Sequence, residues 1–458
     1  MTERFEIVES AIIAMLENKK YAALRDVLGT MNPVDIAAVF SGLEEQQIPL
    51  LFRLLPKETA AETFAEMEPE EQEVLIRGFS DSELKEVLDE LYVDDAADLA
   101  EEMPANVVKR ILRQATPEMR NTINQILRYP ENSAGSMMTT EYVTLRPDMT
   151  VGESILRIRR QGVDKETIYT CYVTRDKKLI GIITVKDLLL AQGDDVQIEE
   201  IMETNVISVS TLTDQEEVAR LFARYSFLAL PVVDRENRMV GIVTFDDAMD
   251  VLEEETTEDI EIMGGMLPSE KTYLKNSAWE LFKHRIPWLL LLMVSATFTG
   301  MIITAFERAL AAQVALTAFI PMLMGTGGNS GSQSSVTVIR ALSLGELRFS
   351  DLPRVIWKEI HTAGLCGVVL AAVCFLKIWF VDKLLLGNED ITLMVDVVVC
   401  VALVVTVLLA KLVGAVLPMV AKALKLDPAV MASPFITSIV DAVSLLVYFL
   451  FARLLLGV

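Results

Sequence analysis

The chain has 458 residues, 52% of them hydrophobic, and a formal net charge of −24. Residues 286–458 carry 11 basic and 10 acidic side chains, whereas the first 285 residues carry 30 basic and 55 acidic ones. Such an acidic region repels nucleic acid and attracts metal cations, which disfavours nucleic acid binding. With 2 His and 4 scattered Cys, soft-ligand zinc or copper sites are also disfavoured, so any bound metal should have oxygen ligands.

Residues 1–129 are predicted to form an all-α superhelical domain. Large apolar residues recur about every twelve positions between helix-start signals, which predicts one short helix and a turn per repeat. These positions are Phe40, Phe52, Phe64, Ile76, Leu88, Ala100 and Leu112. Asp94 and Asp98 share a helix face, where like charges destabilise unless they are neutralised. Either a solvated acidic face or a cation site explains that pair.

Residues 134–255 are predicted to form an α/β repeat. The run LIGIITVKD ending at Asp187 returns sixty residues later as MVGIVTFDD ending at Asp247. This duplication resembles a tandem pair of CBS domains, in which the two matched aspartates are possible nucleotide ligands. The chain carries no P-loop, which disfavours ATP hydrolysis.

Residues 256–285 are predicted to connect the acidic region to the membrane as a long connecting (plug) helix. Seven carboxylates crowd residues 250–261 and would repel one another strongly in a helix without cations. Gly264 and Gly265 predict a break there, and we expect an amphipathic helix from Lys271 to Arg285.

Residues 286–458 are predicted to form a transmembrane domain with five helices, because five apolar segments can each cross ~30 Å of hydrocarbon. They cover about 286–306, 312–339, 355–381, 391–421 and 430–456. The distribution of basic residues and the absence of a signal peptide at the N-terminus predict a cytoplasmic N-terminus and an extracytoplasmic C-terminus in the plasma membrane.

Asp441 is the first candidate functional residue, because a carboxylate at membrane depth usually faces a partner, a cavity or an ion. Thr437 and Ser433 precede it by four and eight residues, which places three oxygen-bearing side chains on one helix stripe. The stripe suits a hard cation. The alternative is a structural ion pair between Asp441 and Lys411.

The second predicted span contains the polar run GTGGNSGSQ, residues 325–333. Such a run must face protein or water, since lipid cannot satisfy its polar groups. Small residues there also permit close helix packing. Packing alone does not account for Asn329 and Gln333, which would place amide oxygens near an ion pathway, beside Gly328.

These parts together resemble the MgtE family of bacterial magnesium channels, over essentially the whole chain. The resemblance implies a homodimer embedded in membrane lipid, with Asp441, Thr437 and Ser433 at a pore Mg²⁺ site. It also implies regulatory Mg²⁺ ligands at Glu62, Asp94, Asp98, Asp214, Glu216, Asp247, Asp250, Glu255, Glu258, Asp259 and Asp427. Ser226 stands where members often carry an acid, and Ser433 where they can carry Asn.

The expected function is therefore a Mg²⁺-selective channel that imports the ion down its gradient and closes when cytoplasmic Mg²⁺ binds the acidic region. ATP is a candidate regulatory ligand of the CBS domains. Two alternatives remain open: a non-transporting receptor that senses Mg²⁺ or nucleotide, and an ion-coupled secondary transporter. No nucleophile with a base partner is evident, which disfavours an enzyme.

Overall fold

The computed structural model describes residues 2–269, 271, 273–388, 391–431 and 433–457, without the side chains of 2–7, 164 and 433. It divides into two compact units, Met1–Glu253 and Glu254–Val458. The first unit contains a helical region followed by a duplicated α/β region. The second unit contains the apolar helices.

Short helices fill the first part of unit 1, as the repeat predicts. Their bounds are α1 Thr2–Glu17, α2 Tyr21–Leu28, α3 Pro33–Ser41, α4 Ile48–Phe52, α5 Lys57–Ala65, α6 Pro69–Gly78, α7 Asp81–Leu88, α8 Val93–Glu102, α9 Ala105–Gln114 and α10 Pro117–Ile126. The seven repeat positions fall one each on α3 to α9, and all are buried except Leu112, which is half-buried. No single short helix can bury its apolar face alone, so neighbouring helices share one core.

The rest of unit 1 contains two copies of one sheet. Its elements are β1 Thr144–Leu145, α11 Val151–Gln161, β2 Thr170–Arg175, β3 Lys178–Thr184, α12 Val185–Leu189, α13 Ile198–Ile201, β4 Val209–Ser210, α14 Gln215–Tyr225, β5 Ala229–Val233 and β6 Met239–Thr244. In the first copy β1 pairs parallel with β2, and β2 pairs antiparallel with β3. The strands β4, β5 and β6 repeat that order, which confirms the predicted duplication.

The connecting segment differs from the prediction. Helix α15, Phe245–Met263, carries the acidic run and ends at Gly264 and Gly265, as predicted. The expected helix from Lys271 to Arg285 is wrong in its first turns, because the next helix begins at Ala278. Ser277 accepts the backbone N–H of Glu280 and the Glu280 carboxylate accepts the Ser277 N–H, so this capping box fixes the start seven residues later.

The apolar helices are α16 Ala278–Ala305, α17 Glu307–Ala312, α18 Ile320–Ser343, α19 Leu352–Lys377, α20 Leu393–Ala423 and α21 Ser433–Leu456, with a π-helical turn at Ile378–Leu385. Within the described ranges, four helical stretches are long and apolar enough to cross a membrane: Ala278–Ala305, Phe349–Leu385, Leu393–Ala423 and Pro428–Leu456. The second predicted span corresponds to α18, which is long enough but too polar by composition. It packs against α20 and α21, so its polar groups are partly enclosed by protein.

Candidate functional site

Asp441 lies at mid-helix on α21 and is half-buried in the single chain, with Thr437 one turn before it. Its Oδ1 atom is shielded from solvent and has no hydrogen-bond partner among the described residues. Ser433 begins the helix, but its side chain lies outside the described part of the chain. A shielded carboxylate oxygen without a donor is a destabilising arrangement unless a cation or a further donor occupies the space beside it.

The glycines of α18 are required by close packing. A Cβ at Gly327 would lie 2.7 Å from Ser444 Oγ, and one at Gly328 would lie 2.9 Å from Thr437 Cγ2. At the contact between α18 and α20, a Cβ at Gly414 of α20 would collide with the carbonyl oxygen of Gly331 of α18. The packing interpretation is therefore right for the buried glycines of this run.

Asn329 and Gln333 do not take part in that packing. Both side chains are exposed on the surface of the single chain, one turn apart on α18. Gly325, one turn earlier, has no side-chain or backbone neighbour within 4 Å of the position a Cβ would take. Helix α18 thus has a glycine and serine face turned into the protein and an amide face turned outward.

The alternative ion pair between Asp441 and Lys411 is wrong for the described part of the chain. Lys411 Nζ instead lies 3.4 Å from Ser334 Oγ of α18. Two other carboxylates of the membrane region have lysine partners: Asp382 contacts Lys377 at 2.8 Å, and Asp396 contacts Lys383 at 2.9 Å. Asp441 differs from both, because no cationic side chain within the described part of the chain forms an ion pair with it.

A second site lies within unit 1, where α8 meets the start of α15. Burial and the Asp95 carboxylate raise the pKa of Asp94 to about 7, and partial desolvation with the Asp247 and Asp94 carboxylates raises the pKa of Asp98, whose side chain is exposed, to about 8. Burial and Asp94 raise the pKa of Asp247 to about 7, although Thr244 donates a hydrogen bond to it. Asp94 is 6% exposed and its Oδ1 has no hydrogen-bond partner among the described residues. Asp94 is thus buried, Asp247 half-buried and Asp98 exposed, and their carboxylates repel one another.

Sequence reasoning grouped Asp95 with Asp94 and Asp98 but did not predict it as a metal ligand, and it missed Glu166. Burial, then Asp94 and Asp95, raise the pKa of Glu166 to about 9, and its Oε2 atom has no hydrogen-bond partner in the described region. Burial and Asp247 raise the pKa of Asp95 to about 7. Asp95 is visible beside Asp94 in the sequence, but nothing near Glu166 signals a site, because the fold brings it in from the first sheet.

Other predicted regulatory residues already have local roles in unit 1. Asp214 caps α14 by accepting the Glu216 N–H at 3.0 Å, and the Glu216 carboxylate contacts Arg220. Ser226 is the left-handed residue, with φ 56°, that ends α14. Asp250 lies on α15, and burial and Asp246 raise its pKa. Glu62 is exposed on α5.

Four predicted regulatory residues belong to unit 2. Glu255, Glu258 and Asp259 lie on the last turns of α15, and Asp259 accepts a hydrogen bond from Ser343 at 3.4 Å. Asp427 accepts the Ala429 N–H at 2.8 Å, just before α21. Among the residues that the structure describes, no three carboxylates, cysteines or histidines in either unit converge as ready-made metal ligands.

Asp187, the candidate nucleotide ligand of the first repeat, is exposed at the start of α12. Its carboxylate accepts hydrogen bonds from the backbone and hydroxyl of Thr184, at 3.1 and 2.5 Å. The same Thr–Asp arrangement recurs at Thr244 and Asp247. The matched aspartates therefore begin equivalent helices, and the first is exposed whereas the second is half-buried.

Comparison with known proteins supplies three family matches. Residues 320–451 match a divalent cation transporter family, residues 31–132 match the MgtE intracellular N domain, and residues 134–194 and 198–254 match CBS domains. The magnesium transporter MgtE of Thermus thermophilus is 40% identical over 440 residues, covering 95% of each chain. The Bacillus subtilis protein of that name is 33% identical over 439 residues, covering 96% of this chain and 95% of its own.

Two solved structures resemble the first part of the chain. One is the cytosolic domain of the Mg²⁺ channel MgtE in complex with ATP, 40% identical with a TM-score of 0.51, covering 53% of this chain and 99% of that one. The other is the soluble part of a magnesium transporter, 30% identical with a TM-score of 0.50, covering 55% of this chain and 99% of that one.

Proposed function

The chain belongs to the MgtE family of divalent cation transporters, and we propose that it is a channel that carries Mg²⁺ inward down its electrochemical gradient. The observation that carries the proposal is the Asp441 carboxylate, whose shielded oxygen has no partner among the described residues, whereas Asp382 and Asp396 have lysine partners. Inward movement gains about 2.3 kcal/mol per charge per 100 mV, so no ATP need be consumed.

The pathway is formed by two copies of the chain. The exposed amides of Asn329 and Gln333 cannot be satisfied by lipid, which favours a second copy or water beside them. In the homodimer, paired Asp441 carboxylates hold a largely hydrated Mg²⁺ through its water shell, because Mg²⁺ gives up water reluctantly. Thr437 and Ser433 line the same site, and Gly328 lets α21 approach α18 closely.

Cytoplasmic Mg²⁺ closes the channel. Carboxylates whose pKa values are raised by burial and by one another bind a divalent cation more strongly than isolated surface acids, because the cation relieves their repulsion. Binding can shift the channel toward closure only if the closed arrangement binds Mg²⁺ more tightly than the open one. The acidic region then lies in the cytoplasm, and the chain spans the plasma membrane with its C-terminus outside.

ATP is a regulatory ligand of the same region. A relative with 40% identity was solved with ATP on its cytosolic domain. In this chain Asp187 is exposed beside exposed Lys186, with Tyr169 nearby at the end of the loop before β2. A carboxylate can accept from a ribose hydroxyl while an ammonium contacts phosphate. The relatives are named as transporters, which favours transport over catalysis.

The test is Mg²⁺ uptake into liposomes containing the full chain. Asp441→Asn keeps the shape of the side chain but removes its charge, so we expect Mg²⁺ uptake to fall at least tenfold. Ser438→Ala is the matched control on α21, since the Ser438 hydroxyl donates to Pro434 O within its own helix at 3.2 Å. Normal uptake by the Asp441 variant would remove the pore assignment.

A further inference from the structure

Three polar side chains from three helices meet inside the membrane unit. Lys411 of α20 is 5% exposed and Ser334 of α18 is 3% exposed. The Ser334 hydroxyl donates to Glu359 Oε2 of α19 at 2.7 Å and lies 3.4 Å from Lys411 Nζ, from which it can accept. A single hydroxyl thus connects a buried ammonium to a carboxylate.

Charge balance explains why the ammonium is tolerated. A lysine that is removed from water is destabilising unless negative charge or acceptors compensate it. Glu359 supplies a compensating charge through Ser334. Well-packed apolar residues often stabilise a fold as much as a buried charged pair does. Stability alone therefore does not explain why charged residues occupy the positions of Lys411 and Glu359.

Helix α18 has a specific need for such a contact. Apolar residues bury both ends of α18, at Ile320 and Leu323 and again at Val338, Ile339 and Leu342, but the middle of its buried face consists of glycines and serines. Glycine contacts, such as Gly331 with Gly414, bring the helices close together without fixing one rotation as strictly as a directional polar bond. A hydrogen bond to Ser334 does distinguish one rotation from its neighbours, because it is directional.

Ser334 follows Gln333 directly in the chain. Any rotation of α18 that moves the Ser334 hydroxyl away from Glu359 and Lys411 also moves the Gln333 amide, and with it Asn329 one turn away. The buried contact on one face of the helix therefore determines where the amides on its outward face lie.

We propose that Lys411 and Glu359, acting through Ser334, are positioning residues that set the rotation of α18 and thereby the ion selectivity of the channel. The proposal rests on the proposed function, in which Asn329 and Gln333 lie beside the ion pathway. Lys411 contacts no ion in this account. Its role is to hold the middle of a helix whose buried face there is made of glycine and serine.

The test compares uptake of Mg²⁺ and Ca²⁺ by full-length variants in liposomes. The ratio of the two uptake rates does not depend on how much protein is folded, so a merely structural defect leaves it unchanged. We expect Ser334→Ala and Lys411→Met each to lower the Mg²⁺ to Ca²⁺ ratio at least threefold. Thr362→Ala of α19 is the matched control, since its hydroxyl donates to Lys358 O within its own helix at 3.0 Å, and it should keep the wild-type ratio.

A wild-type ratio in both Ser334→Ala and Lys411→Met, even with reduced total uptake, would overturn the proposal. If Lys411→Met gives no folded protein, the Ser334→Ala ratio decides alone. The Asp441→Asn variant separates failure of the positioning role from failure of the proposed channel function. If Asp441→Asn loses uptake but Ser334→Ala and Lys411→Met keep the wild-type Mg²⁺ to Ca²⁺ ratio, the channel assignment stands and only the positioning role is removed. Normal uptake by Asp441→Asn would remove the channel assignment itself.

Discussion

Two carboxylates illustrate how far single residues can be interpreted from sequence. Asp441 stands out in an apolar run, and the structure leaves one of its oxygens without a partner in the described region. Glu166 does not stand out, yet its pKa is raised to about 9, because the fold partly buries it beside aspartates of two other segments. A sequence pattern identifies a residue that differs chemically from the residues next to it in the chain. It misses a residue whose important neighbours are close in space but distant in sequence.

The partner of Lys411 could not be predicted from the sequence either. The sequence suggests Asp441 as its partner, because both are charged residues in consecutive apolar segments. The structure pairs it with Ser334, which is one of several serines in a polar run and carries no distinguishing signal. Side-chain partners between helices depend on rotation and depth, and neither follows from hydropathy.

The raised pKa values predict an unusual dependence of stability on pH. A carboxyl group whose pKa is higher in the folded than in the unfolded state stabilises the fold at low pH, and that stability is lost as pH rises through the folded pKa. For Asp94, Asp98 and Asp247 the loss spans roughly pH 4 to 8, from the ordinary carboxyl pKa to the raised values of about 7 and 8. In Mg²⁺-free buffer the unfolding temperature of the acidic region should therefore fall between pH 5 and pH 8.

Added Mg²⁺ should raise that unfolding temperature more at pH 8 than at pH 5, because it binds the ionised carboxylates. Asp98→Asn should reduce both effects. Asp187→Asn is the control, since Asp187 is exposed at another helix start. Calorimetry of the full chain measures this, and an equal Mg²⁺ effect at both pH values would contradict the assignment of the cluster as a cation site.

At the scale of elements, sequence patterns predicted what depends on local or repeated chemistry. The twelve-residue period gave one buried position per helix from α3 to α9, and the duplicated motif gave two equivalent sheets. The start of α16 was misplaced because the amphipathic pattern of residues 271–285 ignores the capping box at Ser277. Cap chemistry determined that boundary, whereas amphipathicity determined only that a helix lies there.

The close contact between α18 and α20 should not tolerate a side chain at Gly414 of α20. Gly414→Ala would place a methyl group against the Gly331 carbonyl oxygen, and overpacking of this kind costs about 1–3 kcal/mol. We expect a lower melting temperature in detergent and reduced Mg²⁺ uptake. Gly364→Ala of α19 is the control, because no neighbour lies within 4 Å of its added methyl group. Equal melting temperatures for the two variants would show that α18 and α20 are not in close contact.

The connecting segment offers a test of how Mg²⁺ acts between elements. Without Mg²⁺ the carboxylates on α15 repel one another. Neutralising them with Mg²⁺ should reduce the motion of the segments that flank α15. Added Mg²⁺ should therefore slow proteolysis near residues 130 and 262. Mass spectrometry of the fragments identifies the cleavage sites. Cleavage at an unchanged rate in millimolar Mg²⁺ would mean that the acidic elements do not respond to the ion. A parallel digestion in Na⁺ at equal ionic strength controls for charge screening.

The whole molecule combines an acidic unit and a nearly neutral apolar one, and its charge division was evident from the sequence. Composition could not predict which carboxylates lie close enough to raise one another's pKa, because that depends on how the helical region and the sheets meet within unit 1. We propose that one ion links the functions of the two units, because Mg²⁺ that passes Asp441 would accumulate in the cytoplasm and neutralise the acidic cluster. Feedback of this kind needs no further ligand.

The most direct test measures Mg²⁺ flux through the reconstituted full chain while Mg²⁺ is varied only on the side that holds the acidic unit. The account predicts that flux falls as Mg²⁺ on that side rises, and that the double variant Asp98→Asn, Asp247→Asn weakens this dependence without abolishing conduction. Flux that is the same at every Mg²⁺ concentration on that side, in the wild-type protein, would contradict it.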